Sequence, residues 1–135
     1  MKSLKLDMVQ LSGNENPSQA KGFGVPVIKA IHIENAKSIL KAKKYSADYI
    51  MVDSTVKGLF GGTGKPVDAK LVDKKKIFGK NLVFSGGLNS GNVKGIVRKF
   101  RPVVVDVASG VEKELGKKSF SKVKQFIKAV KEASA

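Results

Sequence analysis

Asp53 and Asp106 stand near the ends of two apolar runs, YIMVDS (49–54) and PVVVDV (102–107). A carboxylate in such a place either caps the turn that follows or faces a ligand, where it can move a proton or hold a hydroxyl. Two turns of small residues sit nearby in pattern: Ser85-Gly86-Gly87 and Ala108-Ser109-Gly110 follow the fourth and fifth runs of this kind. Side chains this small let backbone N–H groups approach an anion, and a helix beginning just afterwards adds favourable potential for a phosphate. Glycines also serve tight turns for their own sake, but two such turns at adjacent run ends favour phosphate. The first run closes in the same polar manner, at Gln10-Leu11-Ser12-Gly13.

Other chemistry-bearing residues point elsewhere. Gly58-Leu59-Phe60-Gly61-Gly62-Thr63-Gly64-Lys65 is glycine-rich, yet Pro66 stands where a nucleotide-binding P-loop requires a hydroxyl, so it reads as a mobile loop beside a pocket. His32 reads as an orienting or surface residue rather than a catalyst. Lys29, inside the second run, reads as a neutraliser of nearby acids on the inside of the fold. With no cysteine and one histidine in the chain, a Cys-based or His-rich metal site is ruled out, and no metal or cofactor is expected.

The elements that must position these residues repeat. Five runs rich in Val and Ile, at 7–11, 25–31, 48–53, 81–85 and 103–107, are continuously apolar rather than alternating, as strands covered on both faces of a parallel sheet are. Between them lie helical patterns. Asn89 is a candidate cap for a helix with Val93, Ile96, Val97 and Phe100 on one face, ended by Pro102. Ser119 caps a last helix striped by Phe120, Val123, Phe126, Ile127 and Val130. Ile33, Ala36, Ile39 and Leu40 suggest a third helix, Leu71, Val72 and Ile77 a weaker fourth, and Pro17 to Phe23 a short helix at best. The result is one domain, 1–135, of βα units with right-handed crossovers: an open doubly wound sheet or part of a (β/α)8 barrel. In both, ligands meet the carboxyl ends of the strands.

Composition narrows the class. The chain has 135 residues with 41% apolar and 27% charged, the profile of a globular domain, and no run approaches a membrane span. A cytoplasmic location is expected, with no membrane partner. The net charge of +15 raises the prospect of a polyanion partner. The basic residues, all lysine except Arg98 and Arg101, are scattered and lack interleaved aromatics, which speaks against nucleic acid as the main partner. A lysine-rich surface is also common in proteins of high-temperature organisms.

Taken together, LDMVQLSGNE (6–15), VIKAI (27–31), YIMVDS (49–54), GGTGKPVD (61–68), FSGGLNSGNV (84–93) and VDVASGVEKELGKK (105–118) resemble the phosphoribosylanthranilate isomerases of tryptophan biosynthesis, in family order and spacing. The resemblance implies a parallel (βα)5 portion of a TIM (β/α)8 barrel and an Amadori rearrangement of N-(5-phosphoribosyl)anthranilate, which opens a ribose ring and turns an aminoaldose into an aminoketose. It further implies that Asp53 is the general acid, with a pKa raised by burial, that Gln10 and Asp106 bind substrate, and that Gly86, Gly87, Ala108, Ser109 and Gly110 bind its phosphate.

The departures are as informative. The family's base is a cysteine in a Lys-Ile-Cys-Gly segment of its first strand, and this sequence has no cysteine. The match begins at the family's fourth strand, so strands one to three are expected to be absent. Ser12 replaces the His of Gln-Leu-His-Gly, and Ala108 replaces a common Ser. Such a piece is expected to be completed by a complementary N-terminal fragment, to self-associate, or to rearrange into a flavodoxin-like open sheet. A phosphate-ligand-binding or interaction module without catalysis is the alternative reading.

Overall fold

The computed structural model describes residues 4–54, 67–77 and 79–135. The glycine-rich connection 58–65 lies outside the described residues. Five parallel strands form one sheet: β1 (Val9–Leu11), β2 (Val27–Ile33), β3 (Tyr49–Ser54), β4 (Asn81–Phe84) and β5 (Val104–Val105). Their spatial order is their sequence order. That order contradicts the flavodoxin-like alternative, in which the second strand lies outside the first. It belongs to a winding that proceeds in one direction, as barrel strands do.

The two faces of the sheet differ accordingly. Val27, Ile31 and Ile33 of β2, Ile50 and Val52 of β3, and Leu82 and Phe84 of β4 pack in one large core with Ile39, Val93, Val97, Phe100 and Phe126 from the helical layer. Side chains alternate along a strand, and on the opposite face the described residues form a second, smaller buried cluster, Ala30, Met51 and Val83, flanked by Ile28 and Tyr49. The strands are thus continuously apolar because both faces carry apolar residues, although only one face is packed by helices.

Helix α1 (Val93–Phe100) buries Val93, Val97 and Phe100, the last with its ring centroid 5.3 Å from that of Phe84 on β4. Arg101 ends it in a left-handed conformation at φ 44°, just before Pro102. Helix α2 (Phe120–Ser134) is capped by Ser119, whose hydroxyl accepts the Lys122 N–H, as expected. Its buried stripe is displaced from the expected one. Phe126 and Ala129 are buried, whereas Phe120 and Ile127 are exposed.

Three expected helical segments are single or double 3-10 turns. Pro17–Ala20 is one, with Asn16 and Gln19 forming a reciprocal cap. Ser38–Lys44 replaces the helix expected from Ile33 onward, because β2 runs two residues beyond its expected end and takes Ile33 into the sheet. The Asn35 carboxamide and Ser38 hydroxyl then accept backbone N–H groups of Lys37, Glu34 and Asn35, competing with a regular helical start. Lys74–Ile77 is the third. An antiparallel hairpin, β6 (Glu112–Glu114) with β7 (Lys117–Lys118), turns through Leu115 and Gly116, with Gly116 at φ 77°. It was not expected, although a Gly in a two-residue connection is a hairpin signal. Among the described residues no helix is long and apolar enough to cross a membrane.

Lys29 lies on the helix-packed face, not on the inner face where the sequence placed it. Its ammonium, 2% exposed, donates to the carbonyls of Gly13 at 2.8 Å and Leu11 at 3.3 Å and to the Glu15 carboxylate at 2.7 Å. It also sits 5.2 Å from the centre of the Tyr45 ring, and the Tyr45 hydroxyl donates to the Glu15 carbonyl. One buried cation therefore fixes the loop after β1. Burial opposes the charged form of Glu15, but the Lys29 ammonium and the Gly13 N–H outweigh it and hold this carboxyl below its ordinary pKa. Removing Lys29 leaves the Leu11 and Gly13 carbonyls and a partly exposed Glu15 carboxylate without their donor, at a cost of about 1–3 kcal/mol. Urea unfolding of Lys29→Met is expected to show a loss of that order. Because the folded pKa of Glu15 is depressed, its contribution is complete above the ordinary carboxylate range and is lost as pH falls through the folded value. Glu15→Gln is expected to flatten that acid limb of the stability curve, measured by urea titration at a series of pH values.

Candidate active site

Parallel pairing sets polar residues side by side at one end of the inner face. β2 and β3 pair with His32 opposite Asp53, below them Ala30 opposite Met51, and below that Ile28 opposite Tyr49. β3 pairs with β4 through Met51 and Val83, and β4 with β5 through Val83 and Val104. With a period of two, the next level up on β4 and β5 is Ser85 and Asp106. The backbone ladder reaches that level, since the Ser85 N–H donates to the Val52 carbonyl and the Asp106 N–H to the Phe84 carbonyl. His32, Asp53, Ser85 and Asp106 thus form a polar row at the carboxyl ends of four neighbouring strands, above an apolar row of Ala30, Met51, Val83 and Val104.

Within that row, the buried Ser85 hydroxyl donates to Asp106 Oδ2 at 3.0 Å, leaving the exposed carboxylate oriented along the sheet end. Asp53 is half-buried. His32 Nε2 lies 3.2 Å from the Ser12 carbonyl, which can only accept, so Nε2 carries a hydrogen and the ring is fixed against the first loop. Gln10 is exposed on the inner face of β1, in register with Ile28, and its amide donates to the Ser12 hydroxyl. It occupies the Ile28–Tyr49 level, two levels below Asp53.

The two small-residue turns flank Ser85 and Asp106. Gly86 and Gly87 have φ of 84° and 65°, a pair of left-handed conformations that only glycine takes without strain. The Gly86 carbonyl accepts the Val67 N–H at 3.3 Å, and the Gly87 carbonyl accepts the Asn92 side-chain amide at 3.0 Å. In a trans peptide the C=O and the next N–H point in opposite directions. Holding these carbonyls back therefore turns the N–H groups of Gly87 and Leu88 the other way. Asn89 makes the hydrogen bonds of the expected cap, its side chain accepting the N–H groups of Gly91 and Asn92 and its carbonyl that of Val93, one turn ahead of α1, whose regular part starts at Val93.

The second turn is packed against the first. A methyl group built on Gly110 would lie 1.8 Å from the Leu88 carbonyl oxygen, so only glycine fits there. Sequence reasoning found these glycines through their permissive backbone but could not see that contact, which is between residues 22 positions apart.

The sequence profile of the N-(5'-phosphoribosyl)anthranilate (PRA) isomerases matches residues 1–129. The chain belongs to this family. It is 41% identical over 130 residues to the N-(5'-phosphoribosyl)anthranilate isomerase of Bacillus cereus, covering 96% of this chain and 64% of that protein. Against the Magnetococcus marinus isomerase, identity is 36% over 128 residues, covering 95% of this chain and 60% of the relative. Among solved structures, the Thermotoga maritima isomerase superposes with a TM-score of 0.79 at 34% identity, over 95% of this chain and 63% of that one. The Thermus thermophilus isomerase does so at 0.79 and 28%, over 98% and 64%. The chain thus spans less than two thirds of these relatives, and its sheet is the open five-stranded counterpart of their barrel-type fold.

The close approach at Gly110 gives a test that separates it from ordinary glycines. Gly110→Ala is expected to destabilise the chain by about 1–3 kcal/mol, as overpacking does, because Leu88 must move. Gly95 in α1 has nothing within 4 Å of its would-be side chain, so Gly95→Ala is expected to stabilise by about 0.5–1 kcal/mol. Urea unfolding of the two variants checks both signs.

Proposed function

We propose that this chain carries the acid and phosphate half of a phosphoribosylanthranilate isomerase site and corresponds to strands four to eight of the family barrel. In this reading Asp53 is the general acid. It protonates the furanose ring oxygen of N-(5-phosphoribosyl)anthranilate as the bond from that oxygen to the anomeric carbon breaks, giving an open-chain iminium. A base then removes the proton from the neighbouring carbon, and the resulting enol-amine becomes the aminoketose. Asp106, oriented by Ser85, and Gln10 position the sugar. The N–H groups around Gly86, Gly87, Ala108, Ser109 and Gly110 take the phosphate. The observation that carries the reading is the convergence of Asp53, the Ser85–Asp106 pair and both turns at one sheet end. A solved relative, described as a complex with reduced 1-(o-carboxyphenylamino)-1-deoxyribulose 5-phosphate, offers the matching class of ligand.

The base is the part this sequence does not supply, since it has no cysteine. The two outer strands also call for cover. Met8 beside β1 and Val104 on β5, at the sheet's two outer strands, are 38% and 48% exposed, and Gln10 and Asn81 are exposed between them. Further polypeptide bearing the family's first three strands would pair both outer strands, enclose Asp53 and bring a base. The missing base also favours a second reading, a module that binds the phosphorylated ligand without turning it over.

The test is loss of anthranilate-type fluorescence on turnover. The chain alone is expected to be inactive and to gain activity when mixed with a fragment carrying the first three strands of a family member. Asp53→Asn is expected to reduce that activity by about 10²–10⁴-fold. Turnover by the chain alone that survives Asp53→Asn would refute the assignment, and inactivity with tight analogue binding in both arrangements would favour the binding module.

A further inference from the structure

The turn at 108–110 is held from behind by charged side chains that the phosphate reading does not use. Lys118 on β7 donates from Nζ to the Ala108 carbonyl at 3.0 Å and also to Glu112 Oε1. The Ala108 carbonyl takes the Val111 N–H at 3.4 Å as well, so both its lone pairs are engaged. Glu112 is held in turn, accepting the Gly116 N–H at 3.2 Å at the hairpin tip, while its backbone carbonyl takes Lys122 Nζ from α2 at 2.6 Å. The Ser119 N–H donates to the Val111 carbonyl at 2.8 Å. The carbonyls of Ala108, Val111 and Glu112 are therefore all drawn toward the hairpin and the start of α2.

The consequence follows from peptide geometry. With the Ala108 carbonyl fixed on Lys118, the Ser109 N–H of the same planar trans unit points away from the hairpin. On that other side Gly110 meets the Leu88 carbonyl, the tail of the first turn. We propose that Lys118, charge-paired with Glu112, is a positioning residue that aims the Ser109 N–H at the ligand phosphate. This rests on the phosphate reading above. Lys118 would act through the backbone of the turn, so it need not touch the phosphate, and its own charge is shared with a carboxylate. The Lys118 ammonium and the Gly116 N–H lower the pKa of Glu112, as expected of a carboxylate held between two donors.

The hairpin thereby acquires a purpose that sequence motifs alone do not suggest. Apart from Glu112, whose side chain is largely covered, its strands are exposed, and both its ion pairs have their lysines at the surface, where such pairs contribute little stability. What they can do is select one orientation of one peptide plane.

The experiment is an amide-resolved NMR titration of the full chain with inorganic phosphate. The unaltered chain is expected to shift the amides of Gly87, Leu88, Ser109 and Gly110. Lys118→Met is expected to weaken binding by about three- to tenfold, the range of one charged hydrogen bond at a partly exposed site. It should lose the Ser109 and Gly110 shifts selectively, and Lys118→Arg should restore them. Glu112→Ala separates orientation from charge. Removing a negative group near the site would tighten phosphate by simple attraction, whereas loss of the clasp weakens it, and weakening is expected. Unchanged affinity and shifts in Lys118→Met, or tighter binding in Glu112→Ala, would overturn the proposal. No phosphate response at either turn in the unaltered chain would instead overturn the phosphate reading and the clasp with it.

Discussion

In-order parallel pairing of five short strands is the constraint on which the rest of the molecule depends. Side chains alternate with a period of two, so the register that puts Ile50, Val52, Leu82 and Phe84 against the helices necessarily puts Tyr49, Met51, Asp53 and Val83 on the other face. A slip of one residue would exchange these sets and place Asp53 in the apolar layer. Each fully buried aliphatic or aromatic side chain on the helix side contributes about 1.5–3 kcal/mol relative to exposure. The core therefore enforces the row of His32, Asp53, Ser85 and Asp106. Function, in this chain, is what the helix-packed face leaves over on the other one.

Above the strands, the same economy governs the turns. Amides can face an anion only if their carbonyl neighbours have somewhere else to go. Val67, Asn92 and Lys118 provide that for Gly86, Gly87 and Ala108 respectively. Lys29 does the equivalent for the first loop through Leu11 and Gly13. The three loops are thus shaped from outside by donors, and the ligand side is left to N–H groups and carboxylates.

Much of this was legible in the residues. Runs of Val and Ile gave five strands within a few positions, and the motif order gave the family, because a parallel sheet leaves continuous apolar stretches and glycines where backbone must approach. The helical layer was less legible. Ile33 belongs equally well to a helical stripe or a strand, and the strand won because Ile31 and Ile33 share a packed face. Short segments such as Lys74–Ile77 carry too few residues for periodicity to decide. Lys29 was misplaced because an ammonium is expected near acids at a site, and the carbonyls that hold it, Leu11 and Gly13, have no sequence signature. The hairpin at 112–118 was hidden by its charge, since EKELGKK lacks the apolar alternation of a strand.

The central claim is that the polar row and the two turns form one ligand site at the carboxyl end of the inner face. A crystal structure with the reduced carboxyphenylamino-deoxyribulose 5-phosphate analogue tests it most directly. The account predicts phosphate density between Gly86–Gly87 and Ser109–Gly110, with the sugar chain running over the sheet end toward Asp53 and Asp106. An analogue bound on the helical side, or one whose phosphate lies away from both turns, would contradict it.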